Sequence, residues 1–187
     1  LMDLDTLYDA CTEGDRDDAL TPSMVYTFVR SPFSAWCEIH APEEEKDPID
    51  HFRRLLFEQG CRHEAELLQD LYPDMDSVSW DTPEEGFRSV LEFMASGGSA
   101  LGGAPLFYLP ERIWGVMDLI ERVDGAGSRF GPYHYVVKEV KSAKNIRRHH
   151  RLQTACANYL LGRVQEYTPR EYCVLDRDRE ERGFEYD

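Results

Sequence analysis

Two carboxylates and an ammonium stand in a pattern that could do chemistry: Asp118 in IWGVMDLIERV, then Glu139 and Lys141 in YHYVVKEVK. Both stretches are rich in β-branched and aromatic residues, and the Gly, Pro, Asp and Ser between them have the composition of a connection. This predicts two antiparallel strands joined by a loop of about ten residues centred near Ser128. Side chains alternate along a strand, so Tyr135, Val137, Glu139 and Lys141 share one face, and Asp118 falls roughly opposite Glu139. Charged groups are costly to gather on an apolar surface. A hard divalent cation, Mg²⁺ or Mn²⁺, would give the two carboxylates a purpose, with remaining positions left to water and phosphate. The plainer alternative is a surface hairpin with a Glu–Lys pair on its wet side.

Further groups can be placed by period. From Pro48 to Leu71 the pattern is helical, with Phe52, Leu56, Gln59, His63 and Leu67 on one face. A histidine there is either a core residue or a ligand. Gly60 inside this helix costs about 1 kcal/mol against Ala, which suggests a close backbone approach. After Lys141, SAKNIRRHHRLQTACANYLLG predicts a helix ended by Gly162, with Ile146, His149, His150, Gln153, Cys156, Ala157 and Leu160 on one face. Gln153 then points towards the strands. Lys144 precedes Arg147, Arg148 and Arg151, which lie off that face and either meet phosphates or form a solvated basic edge.

The pairing of Gly115-x-x-Asp118 with Glu139-Val140-Lys141 resembles the metal core of PD-(D/E)XK phosphodiesterases, and more narrowly their RecB-like exonuclease branch, which includes CRISPR-associated exonucleases. Gly60-x-x-His63-Glu64 resembles the first motif of that branch. The resemblance implies a restriction-endonuclease-like α/β fold, a mixed central sheet flanked by helices with an N-terminal helical part. It implies one nuclease domain over residues 1–187, with about 21–80 helical and carrying His63, and about 81–187 forming the catalytic sheet and helix. His63, Asp118, Glu139 and the Val140 backbone carbonyl would hold Mg²⁺ or Mn²⁺. That metal would polarise the scissile phosphate and lower the pKa of a water. Lys141 would position the water, and Gln153 would hold the lysine or the phosphate. The implied activity is hydrolysis of DNA, exonucleolytic rather than endonucleolytic, on single strands or free ends. Repair, recombination or CRISPR-type processing is the setting, with a protein partner in a DNA-processing complex.

This chain departs from the branch in places. The branch often has Cys-Pro where this chain has Ser31-Pro32, as the first ligand of an iron–sulfur cluster, and only Cys173 lies in the last thirty residues. No iron–sulfur cluster is expected, because such clusters normally need four thiolates. The tyrosine expected four residues after Gln153 is replaced by Ala157, and Tyr159 lies about 120° away round the helix. A catalytically idle module that keeps the fold and binds nucleic acid or protein is therefore the alternative.

Composition sets wider limits. The 187 residues carry a net charge of −15, awkward for binding phosphates. The charge is uneven: residues 1–20 hold seven acids against Arg16, and Glu43 to Asp50 add five against Lys46. Lys138 to Arg151 instead carries six Lys/Arg against Glu139 alone. No run of about 18 apolar residues suggests a membrane span, and the acidic start lacks a signal-peptide pattern, so a cytoplasmic location is expected. Cys11, Cys37, Cys61, Cys156 and Cys173 lack CxxC spacing and are expected as free thiols; a cysteine nucleophile at Cys61 or Cys156 has only neighbouring histidines in its favour.

The remaining elements follow from caps and breakers. Helices are expected over Leu4–Cys11, from the Thr21-Pro22 start to Arg30, again from Ser31-Pro32, and over Pro83–Ala95 behind the Thr82 capping box. Short strands are expected at Ser77–Trp80, Leu106–Leu109, Tyr172–Leu175 and Arg179–Tyr186, with GGSALGGAP a flexible turn. Tyr108, Trp114 and Tyr135 either stack bases or pack the core.

Overall fold

The computed structural model describes residues 3–17 and 19–186. Helices α1 (Leu4–Thr12), α2 (Pro22–Arg30), α3 (Pro32–His40) and α4 (His51–Leu71) come first. Then follow β1 (Asp76–Ser77), α5 (Pro83–Ser96), β2 (Ala100–Tyr108), β3 (Ile113–Ser128), β4 (Gly131–Val140), α6 (Arg148–Gln165), β5 (Glu171–Leu175) and β6 (Glu181–Glu185). The six strands form one sheet in sequence order. The pairs β2–β3, β3–β4 and β5–β6 are antiparallel, whereas β1–β2 and β4–β5 are parallel. The chain is thus an α/β protein with a mixed sheet flanked by helices.

Local chemistry starts the helices where expected. The Thr21 hydroxyl accepts the Met24 N–H at 3.3 Å, and the Ser31 hydroxyl accepts the Ser34 N–H at 3.2 Å, each with Pro at the next position. Gly97, at φ 76°, closes α5.

One side of the sheet packs against α5 and α6 through Phe87, Leu91, Met94, Leu106, Tyr135, Val137, Leu160 and Leu161. The other meets the second half of α4, where Leu67 and Leu68 cover Ala100, Leu119, Val140 and Leu175. No helix among the described residues is long and apolar enough to cross a membrane.

Several boundaries differ from the sequence reading. GGSALGGAP is no flexible turn, because β2 begins at Ala100 and buries Leu101, Ala104 and Leu106 completely. The expected ten-residue connection is largely strand: β3 runs to Ser128 and β4 restarts at Gly131, the register shifting between Asp124 and Ser128. Gly125 at φ 124° and Gly131 at φ 157° take up that irregularity. The last helix starts at Arg148, not after Lys141, and passes through Gly162 to Gln165. Gly162 is there for packing, since a Cβ would lie 2.2 Å from Thr168 Oγ1. The stripe on α4 is not buried along its length: Phe52 is 66 % and Leu56 51 % exposed. Nothing comes within 4 Å of a Cβ placed on Gly60, so no backbone approach explains that glycine.

Candidate metal and phosphate site

The site lies where β3 and β4 part. Their pairing runs outward from Leu119 opposite Lys138 and does not continue to Asp118 and Glu139, the next pair in register. The Asp118 carboxylate instead accepts the Val140 N–H at 2.7 Å, bridging the fork with a side chain. Beyond it the Lys141 N–H donates to Leu175 O at 2.9 Å, so β5 steadies the end of β4 from its other edge.

Glu139 is buried, and its Oε2 accepts from Lys141 Nζ at 2.7 Å and from Gln153 Nε2 at 3.4 Å. Gln153 therefore reaches the cluster from α6 and touches Glu139, not the lysine. Burial, then repulsion from Glu139, holds the Asp118 carboxyl well above the usual range despite the opposing pull of Lys141. Burial works against the charged form of Lys141, but Glu139 and Asp118 outweigh it and raise its pKa.

From the other side α4 brings His63 and Glu64. A hollow of about 210 Å³ is lined by Gly60, His63, Glu64, Val140, Lys141 and Ser142 among others. Glu64 belongs to the electrostatic cluster: burial and then Glu139 raise its pKa, while Lys141 lowers it. In the sequence, the signal for Glu64 is its position directly after His63.

The donor set suits a hard divalent ion in kind. Asp118, Glu139 and Glu64 offer oxygens that repel one another, and His63 Nε2 is buried without a hydrogen-bond partner. Among the described residues, no group of three His, Cys, Asp or Glu side chains closes into a metal cage. A Mg²⁺-type ion needs only one or two carboxylates, with water and phosphate completing its shell.

The basic residues are sorted by the fold. Arg147 and Arg148 lie exposed at the start of α6. Lys144 is exposed and pairs with Asp178 at 3.1 Å. Arg151 turns away, its guanidinium 4.8 Å from the Phe184 ring centre. Of the aromatics considered, Tyr135 is fully buried, Trp114 stacks on Phe107 at 5.3 Å and Tyr108 bonds Arg163, so they pack and do not line the hollow. Burial pushes the Cys156 thiol up to about 11, an unreactive state for a nucleophile. Ser31 serves α3 as its cap.

A second lysine shows what an occupied structural cation looks like. On the opposite side of the sheet, Lys138 Nζ reaches Glu121 at 2.6 Å, Glu181 at 2.7 Å and the Tyr72 hydroxyl at 3.0 Å. All three of its donors are taken.

No protein-family model matches the chain, and no curated protein matches it.

Proposed function

We propose that this protein is a divalent-metal-dependent nuclease of the PD-(D/E)XK kind, with a restriction-endonuclease-like core, acting on single-stranded DNA or free DNA ends as an exonuclease. The observation that carries the reading is the fork itself: Asp118, Glu139 and Lys141 converge with Glu64 where two strands part, beside the buried, unpartnered His63 Nε2. The strand–strand–helix order β3–β4–α6 is the one the resemblance calls for.

Asp118, Glu139, His63 and the Val140 carbonyl are the groups that would hold Mg²⁺ or Mn²⁺. The ion, when bound, supplies Lewis-acid polarisation of the phosphate and a more acidic water. Lys141, anchored on Glu139, is placed to orient the attacking water and to offset negative charge growing on the phosphate. Gln153 fixes the Glu139 carboxylate from behind. Arg147, Arg148 and Lys144 offer phosphate contacts on a chain whose net charge of −15 otherwise opposes phosphate binding.

The alternative is an idle module of the same fold that binds nucleic acid or a protein partner. Its specific support is that no three metal-binding side chains among the described residues form a closed cage. Incubation of end-labelled single-stranded DNA with Mn²⁺ separates the two. Shortening by the native chain but not by Lys141→Ala supports the nuclease, and an inert native chain supports the module.

A further inference from the structure

Lys141 and Ser142 form a ridge between two hollows. One is the α4 hollow beside His63 and Glu64; the other, about 240 Å³, is lined by Ser23, Tyr26, Lys141, Ala143, His150 and Gln153 among others. The second hollow is walled by α2, to which the sequence reading gave no part in binding.

Its position is set by the same glycine that precedes Asp118. A Cβ on Gly115 would lie 2.8 Å from Pro22 Cδ, so glycine lets the start of α2 lie directly on β3. Backbone bonds fasten it there: Leu20 N–H to Arg112 O at 2.8 Å and Trp114 N–H to Leu20 O at 3.1 Å.

Around this hollow the charge of an acidic protein is reversed. The Arg30 guanidinium donates to the Tyr26 hydroxyl at 3.0 Å, and Tyr26 meets His149 edge-on at 4.8 Å and lies against His150 at 5.7 Å. Burial, then His149, Lys141, Arg147 and Arg30, hold His150 down to about 4. Its Nδ1 accepts the Arg147 N–H at 3.2 Å, so the neutral ring carries its proton on Nε2 as a donor. Among the described residues, Lys144 is paired with Asp178, whereas Arg30, Arg147 and Arg148 have no carboxylate partner. Lys141 is the cation in the hollow's own lining, while Arg30 stands against Tyr26 and Arg147 beside His150 in its wall. Two unpaired guanidiniums thus flank a polar space in a way that suits a phosphate. At about 240 Å³ the space is below the roughly 300 Å³ of small-molecule pockets, enough for a phosphate and its sugar.

We propose that α2 forms the second wall of the nucleic-acid track, with the hollow between α2 and α6 seating the phosphodiester next to the one that is cut, Arg30 on its phosphate and Tyr26 against its base. This rests on the nuclease reading for the identity of the strand. Tyr26 thereby supplies the aromatic contact that the resemblance would place four residues after Gln153, where α6 has Ala157.

The test is fluorescence anisotropy with a labelled single-stranded oligodeoxythymidine in Ca²⁺, across a salt series, alongside cleavage of the same strand in Mn²⁺. Arg30→Gln weakens binding about tenfold and lowers the slope of log affinity against log salt by about 0.7. Tyr26→Ala weakens binding about tenfold, Tyr26→Phe restores it, and Arg170→Gln, on the far side of the sheet, leaves it unchanged. Unchanged affinity and slope in Arg30→Gln overturn the proposal even if the native chain cuts DNA, in which case the nuclease reading stands alone. Arg30-dependent binding without any cleavage upholds the hollow and removes the nuclease reading. A native chain that binds no strand overturns the proposal.

Discussion

Replacing Lys141 with Met keeps the length of the side chain and removes its charge, isolating what the ammonium does. The pair it forms with Glu139 spans 2.7 Å, with side-chain exposures of 17 % and 3 %, so water does little to screen it. Breaking a buried pair from one side costs roughly 3–5 kcal/mol, because the abandoned charge stays behind. Here Asp118 and Glu64 add to the burden, yet their raised pKa values give the cluster an escape by taking up a proton. A loss of about 3 kcal/mol is therefore expected at neutral pH. For a chain of this size that is a fall in Tm of about 6–12 °C. Scanning calorimetry with and without Mn²⁺ supplies the second half of the test. A divalent ion replaces the lost positive charge, so Mn²⁺ raises the Tm of Lys141→Met by more than it raises the native Tm. A loss under about 1 kcal/mol, or an equal Mn²⁺ gain in both proteins, refutes the argument that the ammonium and a metal compensate the same carboxylates.

Other consequences are open to measurement. Gly60→Ala meets nothing within 4 Å and should stabilise α4 by up to about 1 kcal/mol in urea unfolding, while narrowing the hollow beside His63 and slowing cleavage. Gly162→Ala should instead destabilise by about 2 kcal/mol, because its Cβ would collide with Thr168. His150 is held down to about 4, so between about pH 4 and its ordinary 6.5 the unfolded chain binds the extra proton; its contribution is whole above 6.5 and lost as pH falls through that window. The ceiling is roughly 3 kcal/mol, and the open side of the hollow screens the neighbouring cations to leave about 1–2 kcal/mol. His150→Asn should flatten the stability profile by that amount, and an unaltered profile would contradict the assignment.

The hairpin was legible because strand alternation and register are local: once Asp118 and Glu139 sit on facing strands, their opposition follows from counting. The caps at Thr21, Ser31 and Thr82 were legible for the same reason. What the sequence concealed depends on distant contact. Tyr26 and Arg30 reach the neighbourhood of Lys141 through contacts distant in sequence, among them the close approach of Pro22 to Gly115 and the Leu20 backbone bonds, and no periodicity links positions so far apart. Glu64 gains its perturbed state from burial and then from Glu139 on β4, neither of which its own helix reveals. Glycine misled at Gly162 and in β2, since a residue suited to turns also serves where backbones or loops pack closely, and at Gly60, where no close approach is found. The exposed Phe52 and Leu56 show the converse, an apolar stripe that the described residues leave uncovered.

The measurement that bears most directly on the central claim is single-turnover hydrolysis of end-labelled single-stranded DNA as a function of Mn²⁺, for the native chain and Asp118→Asn. The account predicts a saturable Mn²⁺ dependence in the native protein, abolished by chelation, and a loss of at least a hundredfold in rate for Asp118→Asn, about 2.7 kcal/mol of transition-state stabilisation. Hydrolysis that ignores Mn²⁺ or survives Asp118→Asn, or a native chain inert at every Mn²⁺ concentration, would contradict it.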